Sequence, residues 1–294
     1  MRDDFAIIIP SYNRFDVLKK YTLNMLEKYN YDGKWYVVVD DNDPQLEEYK
    51  NGIPKEHLFI FNKKEHYNGY DTFYNKKDFN CKLYALDYIQ NELVYELNLN
   101  FYCIIDDDIS NFIIRLPYKN KLLAKKINDI QFNDGLEYHL DFLNDTHYSN
   151  VSFCNEMGLF GGVTDNIFID GYVNKMLSIY LMKVDKPYPF YSIFEEEVNT
   201  EYLNGLYGKY VISLPFLFYK GKKFVLSKNR NDGGNSELYN TFTNTKFLEL
   251  MTLLMCRPNS IIKIIYNNKN TYGFHYNKDY ENIYPKIIDG RWKK

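Results

Sequence analysis

Four short apolar runs, each cut off by a polar cluster, constrain this chain more than any other feature of its sequence. Phe5-Ala6-Ile7-Ile8-Ile9 stops at Pro10, and Trp35-Tyr36-Val37-Val38-Val39 stops at Asp40-Asp41. Leu58-Phe59-Ile60-Phe61 ends at Asn62, and Asn100-Phe101-Tyr102-Cys103-Ile104-Ile105 is halted by Asp106-Asp107-Asp108. Runs this short and this rich in β-branched and aromatic residues read as strands buried on both faces, the habit of parallel sheets. Between them, Phe15 to Lys28 keeps Phe15, Leu18, Leu23, Met25 and Leu26 at roughly helical spacing, with Asp16 early, where the helix dipole favours it. Asn80 to Asn91 reads as a further helix. Strand and helix in alternation predict an α/β fold built on a mostly parallel sheet.

Past Arg115 the rhythm loosens into a Lys-rich stretch from Lys119 to Lys126, alternating segments near Val151 and Phe168, and a turn at Gly161-Gly162. An antiparallel or mixed second half is expected there. Phe247 to Met255 resembles an amphipathic helix, and the tail from Asn267 onward is polar and aromatic without a regular period. No Pro/Ser-rich linker or internal repeat breaks the 294 residues, so a single domain is expected, with halves at 1–118 and 119–240 and a C-terminal extension at 241–294.

Composition excludes several classes. With 45% hydrophobic and 26% charged residues the chain is globular and not disordered. Cys81, Cys103, Cys154 and Cys256 form no Cys-x-x-Cys pair, so reduced, buried thiols are expected in place of a zinc cluster or redox motif. The apolar run before Pro10 is too short for a signal peptide, and no stretch reaches the roughly 18 apolar residues of a membrane span, so no membrane span and a cytoplasmic location are expected. A formal charge of −3 leaves no global field to draw in a polyanion, and any nucleic-acid contact must be local. The abundance of Tyr, Lys and Asn reflects coding bias and carries no functional information.

The strongest chemical signal is Asp106-Asp107-Asp108, because three adjacent carboxylates repel one another unless a cation sits among them. If strand geometry persists, Asp106 and Asp108 share one face and Asp107 takes the other, which offers two hard oxygen ligands on one side. A plain cap or turn at Asp108 or Ser110 is the alternative. Pro10-Ser11-Tyr12-Asn13-Arg14 precedes a helix and can receive an anion or a base, or Ser11 or Asn13 can simply cap that helix. Asp40 and Asp41 can accept from a ribose hydroxyl or a nucleobase, or belong to a turn with Asn42-Asp43-Pro44. Polar clusters closing successive strands should share one sheet edge, where open α/β sheets bind ligands, and a nucleotide and metal cleft accounts for all of them together.

In Ile7-Ile8-Ile9-Pro10-Ser11-Tyr12-Asn13-Arg14, Val37-Val38-Val39-Asp40-Asp41 and the D-x-D-type Cys103-Ile104-Ile105-Asp106-Asp107-Asp108-Ile109, the chain resembles the GT-A glycosyltransferases that use nucleotide-diphosphate sugars. Through Asp106 to Phe112, Phe194-Glu195-Glu196-Glu197 and Gly233-Gly234-Asn235, it is most similar to the TET-associated or base J-type DNA glycosyltransferases, often of phage. The resemblance implies a Rossmann-like, mostly parallel sheet with a mixed acceptor half and a C-terminal extension. It implies Mn²⁺ or Mg²⁺ on Asp106 and Asp108, with His275 as a third ligand, and a nucleotide lined by Pro10, Ser11, Tyr12, Asn13, Arg14, Asp40, Asp41 and Asp107. The implied reaction moves a sugar, glucose being expected, from a UDP-sugar donor to a hydroxymethylated pyrimidine in DNA, in the cytoplasm of a bacterial host if the chain is phage-encoded. Other acceptors, a surface polysaccharide, glycan or protein, stay open, as does a non-catalytic nucleotide-sugar or nucleic-acid binding module.

An inverting transfer needs a carboxylate to take the acceptor's proton, and Glu195-Glu196-Glu197 follows an apolar stretch able to raise a carboxyl pKa. Glu196 is the first choice, with Glu195 and Glu197 beside it. A solvated helix start is the alternative. Lys119, Lys121, Lys125 and Lys126 form one basic group, and Lys220, Lys222, Lys223, Lys228 and Arg230 another, with Phe218, Tyr219 and Phe224 interleaved. Such groups can hold phosphates while aromatic side chains stack a base, though lysine runs also serve as solvated faces.

Overall fold

A computed structural model describes residues 1–66, 82–118, 121–155, 178–194, 196–209, 211–221, 245–256, 261–267 and 271–276. Its first four strands are β1 (Phe5–Pro10), β2 (Lys34–Asp40), β3 (Leu58–Phe61) and β4 (Phe101–Ile105). They lie in the order β3-β2-β1-β4 and all pair in parallel. β1 and β4 are buried along their whole length, as their apolar runs require. The chain leaves β1 for β2 on one side, while β4 joins on the other, so a topological switch point lies between β1 and β4 at their carboxyl ends.

The second half adds β5 (Ile109–Tyr118), β6 (Lys121–Lys126), β7 (Asn150–Asn155), β8 (Ile179–Lys183) and β9 (Val211–Gly221). They extend the same sheet as β4-β8-β7-β9-β5-β6. Only β7 and β9 run parallel there; β4–β8, β7–β8, β5–β9 and β5–β6 are antiparallel, which makes the nine-stranded sheet mixed, with its parallel block in the first half. β10 (Ile261–Asn267) and β11 (Thr271–Tyr276) form a separate antiparallel pair, of which β11 falls in the tail from Asn267 onward whose sequence shows little period. The segments near Phe168 and Gly161-Gly162 lie outside the described residues.

Helices cover both faces. The expected helix from Phe15 to Lys28 is present, but its middle, Lys19–Leu23, widens into a π turn between α-helical Phe15–Leu18 and Asn24–Lys28. The helix expected to end at Asn91 runs on from Lys82 to Glu96, again through a π turn at Ile89–Leu93. Thr245–Cys256 brackets the expected Phe247 to Met255 helix. A 17-residue helix, Asp129–Asp145, has no counterpart among the expected elements. Its signal is nonetheless present: Asn128 and Gln131 form a capping box, each side chain accepting from the other's backbone N–H, and Phe132, Leu136, Leu140 and Leu143 form the buried stripe. Cys103 and Cys154 are buried thiols and Cys256 is a half-buried one, while Cys81 lies outside the described residues. Among the described residues no helix is long and apolar enough to cross a membrane.

One core lies between the sheet and the helices Phe15 to Lys28 and Asp129–Asp145, where Tyr29 stacks on Phe132 at 4.7 Å between ring centres and Phe112 packs at 5.1 Å. A second lies on the opposite face, under Lys82 to Glu96, and gathers Ile8, Val38, Tyr102, Ile104, Tyr180 and Met182. Phe132→Ala empties the first core of a ring that touches three others. It is expected to cost about 3–5 kcal/mol, while Ile130→Ala, on the solvent side of the same helix and 64% exposed, costs within about 0.5 kcal/mol. Thermal melts of the two variants check this contrast.

Candidate functional site at the β1/β4 edge

β4 gives out after Ile105, and Asp107 and Asp108 form a turn into β5. The turn is pinned from below by Thr22, which the π turn of the first helix carries. Its Oγ1 donates to the Asp106 carbonyl at 2.7 Å and accepts from the Ile109 N–H at 3.0 Å. π turns insert an extra residue into a helix and re-aim side chains, often near functional positions. The turn separates the three carboxylates. Asp107 is buried, with its side chain 5% exposed, while Asp106 and Asp108 stay 25% and 23% exposed at the mouth. Of the alternative reading, the turn at Asp108 forms and the helix start does not; Ser110 lies in β5 and donates to the Lys220 carbonyl on β9 at 3.0 Å.

The segment after β1 is organised around Asp107. Ser11 Oγ donates to Asp107 Oδ2 at 2.8 Å and lies 2.7 Å from Tyr49 Oη, and Arg14 reaches Asp107 Oδ1 at 2.8 Å and Asp108 Oδ2 at 3.1 Å. Neither Ser11 nor Asn13 caps the following helix. Its N-cap is Arg14, without a side-chain cap, and the Phe15 N–H is taken by Gln45 Oε1. Asn13 has φ 51°, a left-handed conformation that Asn tolerates, and its N–H donates to Asp43 Oδ2 at 2.8 Å. Pro10 ends β1 opposite Val38, and Tyr12 is half-buried beside it.

Asp40 and Asp41 differ in role. Asp40 is buried, accepts from the Asn42 N–H at 2.9 Å and faces Lys63 Nζ at 3.5 Å, so it closes the loop after β2. Asp41 is exposed, with Asn42 donating to it, and partial desolvation together with Asp40 raises its pKa.

The acidic pair from the second half arrives at the same edge. The ladder between β4 and β8 continues one step beyond both strands, as the Asp106 N–H donates to the Ser178 carbonyl at 2.9 Å. Ser178, at φ 63°, turns its own N–H to Glu197 Oε1 at 3.1 Å, so a single residue ties the Asp106 backbone to the Glu197 carboxyl. Glu196 and Glu197 open the helix Glu196–Leu206. Lys82, the first residue of its own helix, donates to Asp106 and lies over the Tyr180 ring at 5.8 Å. No sequence pattern marks Lys82; only the fold brings it to a strand end 24 residues on.

The electrostatics follow from crowding. Burial pushes Asp107 up to about 7, with Arg14 and Ser11 opposing the rise and Asp108 and Asp106 adding to it. Burial and Asp106 likewise raise Asp108, against Arg14 and Lys82. Burial and then Glu196 push Glu197 up to about 8, with Lys82 opposing. Burial works against the charge on Lys82, yet Asp106, Glu197 and Glu196 hold its pKa above the ordinary value. Among the described residues, five carboxyl groups thus face two cations, Arg14 and Lys82. Among the described residues no three or more His, Cys, Asp or Glu side chains form a metal cage by themselves. Asp106 and Asp108, half-buried at the mouth and paired with Lys82 and Arg14, offer hard oxygens of the kind that suits Mg²⁺ or Mn²⁺ shared with substrate phosphates, since such ions are commonly held by one or two carboxylates and the substrate. His275 falls on β11 opposite Lys263, while Glu195 and Gly233-Gly234-Asn235 lie outside the described residues.

An open mixed α/β sheet with a polar cluster at its switch point defines the fold class. The sequence profile of the TET-associated glycosyltransferases matches residues 5–256, and the chain belongs to that family. No curated protein matches it in sequence. Among solved structures it is similar to a mannosyltransferase from Pyrobaculum calidifontis in complex with GDP-Man and Mn²⁺, at 15% identity and a TM-score of 0.46 over 76% of this chain and 58% of that one. It is similar also to S. aureus TarS 1–349 in complex with UDP-GlcNAc, at 15% identity and a TM-score of 0.43 over 86% of this chain and 65% of that one. A third is glucosyl-3-phosphoglycerate synthase from Mycobacterium tuberculosis in complex with Mg²⁺ and UDP, at 10% identity and a TM-score of 0.44 over 92% of this chain and 86% of that one. The chain therefore spans less than two thirds of the first two. The family assignment rests on the sequence match and not on these partial likenesses.

Because folding raises the pKa of Asp107 from near 4 to about 7, the native state binds the extra proton between those values, and stability falls as pH rises through that window. Asp107→Asn removes that titration. Its melting temperature relative to the unsubstituted chain is expected to climb from pH about 4 to about 7 and then level off, as thermal melts across that range will read.

Proposed function

We propose that this chain is a metal-dependent, inverting glycosyltransferase that moves a sugar, glucose being the expected one, from a UDP-sugar to the hydroxymethyl group of a pyrimidine in DNA, acting in the cytoplasm. The observation that carries the reading is the Ser178 link, which ties the backbone of a donor-side aspartate, Asp106, to an acceptor-side carboxyl, Glu197, through a single residue. A family named for its association with TET supports the DNA acceptor.

On this reading Asp106 and Asp108 hold Mn²⁺ or Mg²⁺, with His275 as a candidate third ligand. Such an ion supplies positive charge against which a nucleoside diphosphate can depart. Arg14, fastened to Asp107 and Asp108, keeps the turn in shape and adds positive charge beside the same phosphates. Asp41, at the exposed end of β2, accepts from the nucleoside, with Pro10, Ser11, Tyr12, Asn13 and Asp40 forming the wall behind it.

The acceptor's hydroxyl oxygen forms a bond to the anomeric carbon while that carbon's bond to the diphosphate oxygen breaks, and the hydroxyl proton passes to the pair Glu196 and Glu197. Glu197, with a pKa pushed up to about 8, lies close to the working pH, where a general base is most effective, and Glu196 is the neighbour that accepts alongside it. Lys82 holds this pair and Asp106 in one electrostatic unit.

A labelled UDP-sugar offered to hydroxymethylated duplex, plain duplex and glycan acceptors tests the reading. Label is expected on the hydroxymethylated duplex alone, and label on glycans alone sinks the DNA acceptor. Asp106→Asn and Asp108→Asn are expected to abolish both transfer and the calorimetric binding of UDP with Mn²⁺. Glu196→Gln and Glu197→Gln should keep that binding, with the better base losing about 10²–10⁴-fold in kcat. Full transfer by both Glu variants removes the base assignment.

A further inference from the structure

One lysine from each of the two basic groups, Lys126 and Lys220, falls on the same face of the sheet, while Lys119, Lys222, Lys223, Lys228 and Arg230 lie outside the described residues. β9, which carries Lys220, and β6, which carries Lys121, Lys125 and Lys126, both pair with β5, which carries Arg115. None of the residues of these three strands is acidic, in a chain with 39 acidic side chains. Strand register sorts the cations by face. Tyr219 and Phe112 are opposite one another and belong to the core under the helix Asp129–Asp145, so Lys220 and Arg115 point to the other side. Ile113 lies opposite both Phe218 and Lys126, and Arg115 opposite Ala124, which puts Lys126 on that side with Lys220 and Arg115.

That is the face of Tyr180, the ring beneath Lys82, and of the core under Lys82 to Glu96. The stripe also begins at the site: a β-carbon on Gly221 would lie 3.9 Å from Asp108 Oδ1. Lysines on an edge strand such as β6 are a common defence against edge-to-edge pairing. That explanation does not reach Lys220 and Arg115, because β9 and β5 are interior strands of the sheet. Steps of about 5 Å between strands and about 3.3 Å along them spread the three cations over about 10 Å by 13 Å, a span that meets several phosphates of a polynucleotide strand.

We infer that the β9–β5–β6 face, through Lys220, Arg115 and Lys126, is the docking surface for the phosphate backbone of the nucleic-acid acceptor. This rests on the DNA reading above and adds the surface that reading lacks. The cations carry no base readout; they hold the duplex in register so that a target base reaches Glu196 and Glu197.

The test is fluorescence-anisotropy titration of the full chain with a short hydroxymethylated duplex over a series of salt concentrations. Lys126→Ala and Lys220→Ala are each expected to lower the slope of log affinity against log salt by about 1 and to weaken binding severalfold at low salt. Lys55→Ala, exposed beside β3 at the far edge of the sheet, should change neither, and Lys125→Ala, on the opposite face of β6, should change them less than Lys126→Ala. Acceptor-free hydrolysis of the UDP-sugar and the melting temperature should stay unchanged in Lys126→Ala, which separates docking from donor chemistry. Variants that bind duplex like the unsubstituted chain, or an equal loss from Lys125→Ala, overturn the surface while the DNA reading stands. An unsubstituted chain that binds no duplex yet hydrolyses donor overturns both the surface and the DNA acceptor.

Discussion

A carboxylate turned into the protein organises the ligand edge of the sheet. Asp107 is buried against Ser11 and Arg14, and because it faces inward, the carboxylates on either side of it face out. A lone charge in that position would be prohibitive; the Arg14 fork and the Ser11 hydroxyl make it tenable, and the same fork extends to Asp108. β1 and β4 are thereby joined at their carboxyl ends through side chains as well as through the ladder. The crevice between them keeps its shape because both walls share one ion pair.

From that anchor the rest of the site is assembled by backbone. Thr22 holds the Asp106 carbonyl and the Ile109 amide, so the turn cannot swing away from the first helix. Ser178 completes the β4–β8 ladder and passes its amide to Glu197, which ties the second half of the chain to the strand end of the first. Lys82 then sits among Asp106, Glu196 and Glu197 and offsets part of their mutual repulsion. Each of these contacts joins segments distant in sequence. The strand ends next to Asp106 and Ser178 consequently belong to one continuous sheet.

An excess of negative charge at the mouth and of positive charge along β9, β5 and β6 divides the molecule electrostatically, although its net charge is only −3. The two regions meet at Asp108 and Gly221. A small overall charge thus conceals two opposed local fields.

The apolar runs by themselves determined β1 to β4 and their parallel character, because a strand buried on both faces can tolerate almost no polar residue and so announces itself by composition. The same runs marked where each strand stops, and hence the edge on which Ser11, Arg14, Asp41 and the three aspartates gather. The helix Asp129–Asp145 was equally written in its capping box and stripe, but the Asp and Asn residues scattered along it disguise it as loop beside the lysines that precede it. What tertiary structure alone decided is which distant groups meet: Lys82 with Asp106, Ser178 with Glu197, Thr22 with the acidic turn, Lys220 with Arg115 and Lys126. Those pairings depend on strand order and register, and a one-residue slip would send each side chain to the opposite face. Local sequence encodes which face of an element is apolar; it does not encode which partner that element finds across the sheet.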